Sequence, residues 1–261
     1  MTRTHKKWMR VYISGYDMSG YIRDVGGIGF AFDATPDACL TDPVKSANVG
    51  QASVTCGPVN AVLDNDASTY PAGFWTTFKS GGVTRDVSVA IGTLAAPVIG
   101  DPMYSWAMNQ DSFQQVEGNG FVSINMALDP SPSTPSSSMP WGFVLHANGA
   151  ETGANSGNNT THMGATGATT GGIFVYHLFT AGGGAGTATI SMQDSADGST
   201  SWGAVTGATT TALPTNGATT IPASGHIVLA SATSVKRYLR WQLALATATS
   251  ATFFAGFIRK Q

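Results

Sequence analysis

The sequence predicts an all-β fold of two antiparallel β-sandwich or barrel domains, with one short helix in the first. Three observations predict it. Short runs of alternating apolar and polar residues recur along the 261 residues, turn residues separate them, and their interiors are rich in β-branched and aromatic side chains. At that length the chain can form one large β domain or two of ordinary size.

Taken in order, the first-half strands are expected over 9–14, 28–33, 74–79, 86–91, 103–110 and 120–128, with Val87, Val89 and Ile91 sharing one face. The mixed stretch 35–62 carries the short helix, with Asp33 or Thr35 able to cap it and Pro43 able to open a further turn. Residues 131–140, rich in Pro and Ser, cannot pair in a central strand and have the composition of a linker. They divide a first domain, 1–130, from a second, 141–261. Second-half strands are expected over 141–146, 172–179, 187–193, 226–230, 238–246 and 251–258. Gly/Thr/Ala/Asn-rich loops fill 148–171 and 203–225, and Gly182 to Gly186 makes a hairpin connection. Each half ends on a pair of long aromatic-rich strands, which raises the possibility of a duplication.

Only 11% of residues are charged, where about a quarter is usual, and the formal net charge is −2. So weakly charged a surface repels its own copies little, which points to self-packing. Residues 1–130 hold 12 acidic and 8 basic residues, residues 131–261 hold 3 and 5, and neither half is basic enough for sequence-specific DNA binding. Cys39 and Cys56 match no four-ligand zinc spacing and read as two partly buried thiols. The polar, basic first ten residues lead into a strand with no apolar run for secretion or membrane spanning, so a cytoplasmic site of synthesis and no membrane partner are expected.

No catalytic cluster, cofactor motif or metal set stands out. His5, His146, His162, His177 and His226 are scattered, and His146 and His177 lie in apolar strands as packed residues. Asp64, Asp66, Asp194 and Asp197 stand in turn contexts, where weak calcium coordination or paired-carboxylate chemistry is the minor alternative. Most tryptophans fall within strands; Trp202, at a turn, keeps a carbohydrate-binding alternative open. The expectation is a protein that is not an enzyme.

The stretch from Val11 through Gly15-Tyr-Asp-Met-Ser-Gly20 to Asp24 resembles the opening of tail tube (major tail) proteins of long-tailed bacteriophages, a strand, a Gly-Tyr-Asp-Leu-Ser-like turn and a second strand. Met192 to Trp202, Val235 to Gln242 and Phe257 to Arg259 resemble segments that recur in phage virion proteins. The resemblance implies a subunit whose sheets join neighbours into trimeric or hexameric rings, stacked as a tube through which viral DNA passes without sequence-specific contacts. It further implies tail terminator and tail tip proteins at the tube's ends, assembly in the host cytoplasm and a place in the virion tail. Acidic residues are then expected to face the lumen, among them Asp17, Asp24, Asp33, Asp37, Asp86, Asp101, Asp111 and Glu117, because negative charge lets DNA slide. The loop bearing Asn148, Asn155, Asn158 and His162 is expected to seat one ring on the next. Alternatives are a capsid decoration or other virion structural protein, or a carbohydrate-binding adhesin module.

Overall fold

The computed structural model describes residues 6–36, 47–63, 77–93, 95–117, 122–131, 141–152, 168–183, 185–215 and 222–260. After a short 3-10 turn, Lys6–Trp8, the first strands are β1 (Met9–Ile13), β2 (Tyr16–Asp17), β3 (Ile22–Val25), β4 (Ile28–Pro36), β5 (Ala47–Val62), β6 (Val83–Ile91), β7 (Pro102–Glu117) and β8 (Val122–Pro130). Then follow β9 (Trp141–Glu151), β10 (Thr169–Gly182), β11 (Thr187–Ser195), β12 (Gly203–Thr209), β13 (Leu213–Pro214), β14 (Ala223–Val235), β15 (Tyr238–Ala246) and β16 (Ser250–Arg259). The all-β class is as expected, and every strand pair given a register is antiparallel.

The chain forms two compact units that interleave along the sequence. The larger holds residues 1–20, 84–108 and 131–261; the smaller holds 21–83 and 109–130. In the smaller unit β5 is the hub, pairing with β4 and β3 in succession and with β8. Val59, Ala61, Ile124, Met126 and Leu128 are its buried apolar residues on β5 and β8, at alternate positions as the pleat requires. Gly26 and Gly57 meet so closely that a Cβ on Gly26 would lie 2.7 Å from the Gly57 Cα.

In the larger unit the ladder order is β14-β10-β16-β9-β7-β6-β1-β2, and a second sheet is built on β11, with β12 and β13 paired to it and β15 alongside. Both faces of the central strands are buried. From β10, Phe174 and Leu178 join a core with Ile190, Met192, Leu239, Trp241, Leu243, Phe253 and Phe257, which fills the space between the two sheets. Ile173 and Val175 join Tyr12, Ala90, Met103, Val144, Phe254 and Ile258 on the other side. Gly256 is needed there: a Cβ at that position would overlap the Met103 sulfur. β6 and β14 are far apart in ladder order, yet Asp86 on β6 bonds His226 on β14, so the sheet is rolled.

Several expectations change. Residues 47–62, placed in the stretch with the short helix, form a long strand, with Val49, Val54 and Val59 among its β-branched positions; 37–46 lie outside the described residues. Of the strand expected at 74–79, only 77–79 are described, and Thr77 and Phe78 are helical. β12 and β13 occupy part of what read as the 203–225 loop, because small Gly/Ala/Thr residues pair as readily as larger ones on a partly exposed strand. Gly182 to Gly186 does not join two paired strands; it carries the chain from β10 to β11 in the other sheet. Gly183, at φ +94°, lets that crossing pass within 2.6 Å of the Thr249 nitrogen, measured from where a Cβ would stand. The two aromatic strand pairs are not equivalent either: β7 pairs with β8, whereas β15 and β16 belong to different sheets.

Candidate functional site

The turn after β1 closes the seam of the rolled sheet. Ser14 and Gly15 both have positive φ, 50° and 81°, and a Cβ on Gly15 would lie 2.6 Å from Pro222 Cβ and 2.8 Å from the Ala223 nitrogen. Inside the turn, Asp17 accepts from the Ser19 amide at 3.0 Å, and Ser19 Oγ accepts from the Val11 amide at 3.0 Å. Asn148, on β9, donates to Asp17 Oδ2 at 2.6 Å.

From this turn a buried polar chain crosses the rolled sheet, and its direction follows from one fixed donor. The Gly15 N–H can only donate, so His177 Nδ1, 3.1 Å away, accepts, and the neutral ring carries its proton on Nε2. Nε2–H then donates to Ser88 Oγ at 2.8 Å, and Ser88 passes its hydrogen to Ser105 Oγ at 2.6 Å. Ser105 has two acceptors within reach, His226 Nε2 at 2.8 Å and the Val87 carbonyl at 3.1 Å. His226 Nδ1 donates to Asp86 Oδ1 at 2.7 Å, and Ser224 donates to Asp86 Oδ2 at 2.7 Å. Burial pushes the His177 pKa down to about 3, with His226 adding to the effect and Asp86 opposing it. Burial alone would raise Asp86, but the bonds and charge of His226, with Ser224, hold it below the usual carboxylate value.

Asp86, His226 and Ser105 stand in the order of a nucleophilic triad, yet Ser105 is 2% exposed and its hydroxyl is shared with Ser88 and Val87. The arrangement ties β1, β6, β7, β10 and β14 together through side chains that are largely closed to solvent.

A second junction gathers the later segments singled out in the sequence. Gln193 and Asp194 on β11 register with Arg240 and Leu239 on β15. Asp194 accepts from the Lys236 amide at 2.9 Å and lies 3.3 Å from its ammonium. Arg259, buried at the end of β16, donates to Thr169 Oγ1 and to the carbonyls of Val235, Lys236 and Arg237. Burial lowers its pKa to about 10, against the opposing charge of Asp194. Asp197 is held well below the usual carboxylate range by the side chain and amide of Thr200, the Ser199 amide and Ser195 Oγ, so its oxygens are occupied by its own turn. Among the described residues no three His, Cys, Asp or Glu side chains gather as metal ligands.

The expected lumen residues are dispersed. Asp24, Asp111 and Glu117 are exposed in the smaller unit, Asp17 and Asp86 are engaged as above, and Asp101 accepts from the Val98 amide. The side chain of Asp33, all of Asp37, and Asn155, Asn158 and His162 lie outside the described residues, as do Cys39 and the Cys56 side chain. Asn148 is brought to Asp17, a pairing across 131 positions that no sequence pattern announces. His146 is buried, its Nδ1 donating to the Phe253 carbonyl at 3.0 Å and its Nε2 2.9 Å from Glu151. Trp202 is partly buried beneath the Arg240 guanidinium, 4.4 Å from its ring, so one stacking face is already occupied. β14 ends the larger sheet without a ladder partner on its outer side among the described strands, and Val228 on it is 56% exposed. No described helix is long and apolar enough to cross a membrane, which says nothing of strands.

No family model matches the sequence, and no curated protein does. Among solved structures, the chain is similar to the Dit protein of phage SPP1, described as a paradigm of the hub adsorption apparatus in phages infecting Gram-positive hosts. There the TM-score is 0.32 at 12% identity, over 95% of this chain and 98% of that one. It is similar to a chain of the phage p2 baseplate in its activated, strontium-bound conformation, with TM-score 0.34, 10% identity and 95% and 97% coverage. A type six secretion system protein matches with TM-score 0.28 and 15% identity, over 54% of this chain and 90% of that one.

Proposed function

We propose that this chain is a non-enzymatic structural subunit of a phage tail that assembles with copies of itself, and that it serves in the tail tube. The observation that carries the reading is the placement of the tail-tube-like turn: Gly15 to Gly20 closes the seam of a rolled antiparallel sheet and is tied into its buried polar chain. A motif so placed fixes the curvature of a wall rather than building a reactive centre. The free outer edge of β14 among the described strands, with Val228 exposed on it, and the low overall charge favour packing against further copies.

On this reading, rings of three or six copies stack into a conduit for DNA. Among the described residues of the expected lumen set, Asp24, Asp111 and Glu117 are exposed and would face the lumen, with tail terminator and tail tip proteins at the ends. Negative-stain microscopy of the purified protein tests it: hollow filaments with a regular axial repeat are expected. Particles that stay monomeric at high concentration would remove the tube from consideration.

A further inference from the structure

The interleaved units differ in charge far more than the two halves of the sequence do. Residues 1–20, 84–108 and 131–261 contain 6 acidic and 10 basic residues, a formal +4, while residues 21–83 and 109–130 contain 9 and 3, a formal −6. The positive charge is also concentrated. Every Lys and Arg after residue 131 lies between Lys236 and Lys260, and Arg259, by holding the carbonyls of Val235, Lys236 and Arg237, draws the end of β16 onto the β14–β15 turn. That brings Lys236, Arg237 and Lys260 to one end of the larger unit. Of these three, Lys236 is ion-paired with Asp194. Arg237 lies 5.1 Å from the Tyr238 ring, and its buried Nε has no acceptor within the chain among the described residues. In the smaller unit Asp24, Asp111, Glu117 and Asp129 are exposed, and among the described residues none of them is in a salt bridge.

We propose that the basic end formed by Lys236, Arg237 and Lys260 docks onto the acidic smaller unit of a second copy of this chain, so that copies add head to tail. This rests on the self-assembly reading above. The two surfaces differ from each other, so the contact is heterologous and propagates instead of closing as a two-fold dimer. Attraction between exposed charges is screened within about 8 Å at physiological ionic strength, so growth depends on salt and on the charges that meet at the contact.

The test uses two charge-reversed forms of the full chain, Arg237→Glu with Lys260→Glu, and Asp111→Lys with Glu117→Lys, followed by sedimentation velocity and microscopy. Each form alone is expected to need at least about tenfold more protein than wild type to assemble, because like charges then face each other. An equimolar mixture is expected to assemble as alternating copies, since each reversed surface meets its complement. Circular dichroism matching wild type certifies folding. If the first form fails that check, Arg237→Gln with Lys260→Gln replaces it, and a raised assembly concentration is again expected. Variants that each assemble like wild type, or well-folded variants whose mixture does not recover, would overturn the head-to-tail contact while leaving self-assembly intact. A wild-type chain that stays monomeric at every salt concentration would overturn the self-assembly reading itself.

Discussion

His177 shows how much of a sheet a single buried side chain can hold together. Its ring is completely buried, accepts from Gly15 and donates to Ser88, an arrangement that only the neutral imidazole satisfies. The folded pKa lies near 3 against 6.5 for a free histidine, so below pH 6.5 the unfolded chain binds more protons than the folded one. Stability is therefore full above that pH and declines as pH falls toward 3, by about 2 kcal/mol at pH 5 relative to pH 8. Asp86 acts only at lower pH: its depressed pKa contributes above the ordinary carboxyl value and is lost as pH falls through the folded value. The variant His177→Leu is expected to be less stable at pH 8 by about 1–3 kcal/mol, from the orphaned Gly15 amide and Ser88 hydroxyl. It should also lose less between pH 8 and pH 5 than wild type does, as read by urea unfolding at each pH. Equal losses in the two proteins would show that His177 does not carry the dependence. None of this network was legible in the sequence beyond the expectation that His146 and His177 are packed. Its bonded partners lie up to 162 positions apart, and neither periodicity nor spacing encodes which strand a rolled sheet brings opposite another.

At the scale of elements, most runs of β-branched and aromatic residues were legible, the helical Thr77 and Phe78 being an exception. The strand expected over 238–246 coincides with β15, and those at 187–193 and 251–258 fall inside β11 and β16. The Gly/Ala/Thr strand β12 and the long β5 were not, because small residues carry little hydrophobic signal and their pairing is decided by neighbours already in place. The junction of β11, β14, β15 and β16 was visible only as three separate segments, and Arg259 is what makes them one. Its guanidinium satisfies three carbonyls at a strand connection where the backbone has left the ladder. Arg259→Met keeps the apolar stem but strands those carbonyls, and a loss of about 2–4 kcal/mol is expected. Arg259→Lys should recover less than half of it, since an ammonium cannot present the planar fork. Thermal unfolding of the two variants measures this, and equal stability of Arg259→Met and wild type would mean that water serves those carbonyls as well as the guanidinium does.

For the whole molecule, the decisive matter is whether residues 141–261 stand alone, as the Pro/Ser-rich stretch at 131–140 led one to expect. The core between the two sheets favours independence: among the described residues, every buried member, from Leu145 to Phe257, comes from that segment. The opposite face argues against it. Val144, Ile173, Val175, Phe254 and Ile258 are buried together with Tyr12, Ala90 and Met103, and β9 takes β7 as a ladder partner through Tyr104↔Trp141 and Met103↔Gly142. A fragment of residues 141–261 would keep one core, expose the apolar floor of the other and open the β9 edge. The second effect should dominate, because an uncovered apolar face beside an unpaired strand is a strong drive to associate. The fragment is therefore expected to show β-sheet circular dichroism, to bind the dye ANS and to self-associate at concentrations where it is dilute enough for a folded monomer. Adding residues 1–130 in trans should suppress the dye signal by restoring β1, β6 and β7 to that face. A monomeric 141–261 fragment that leaves ANS dark would instead establish a sequential division of the chain, with the rolled sheet an association of two finished domains.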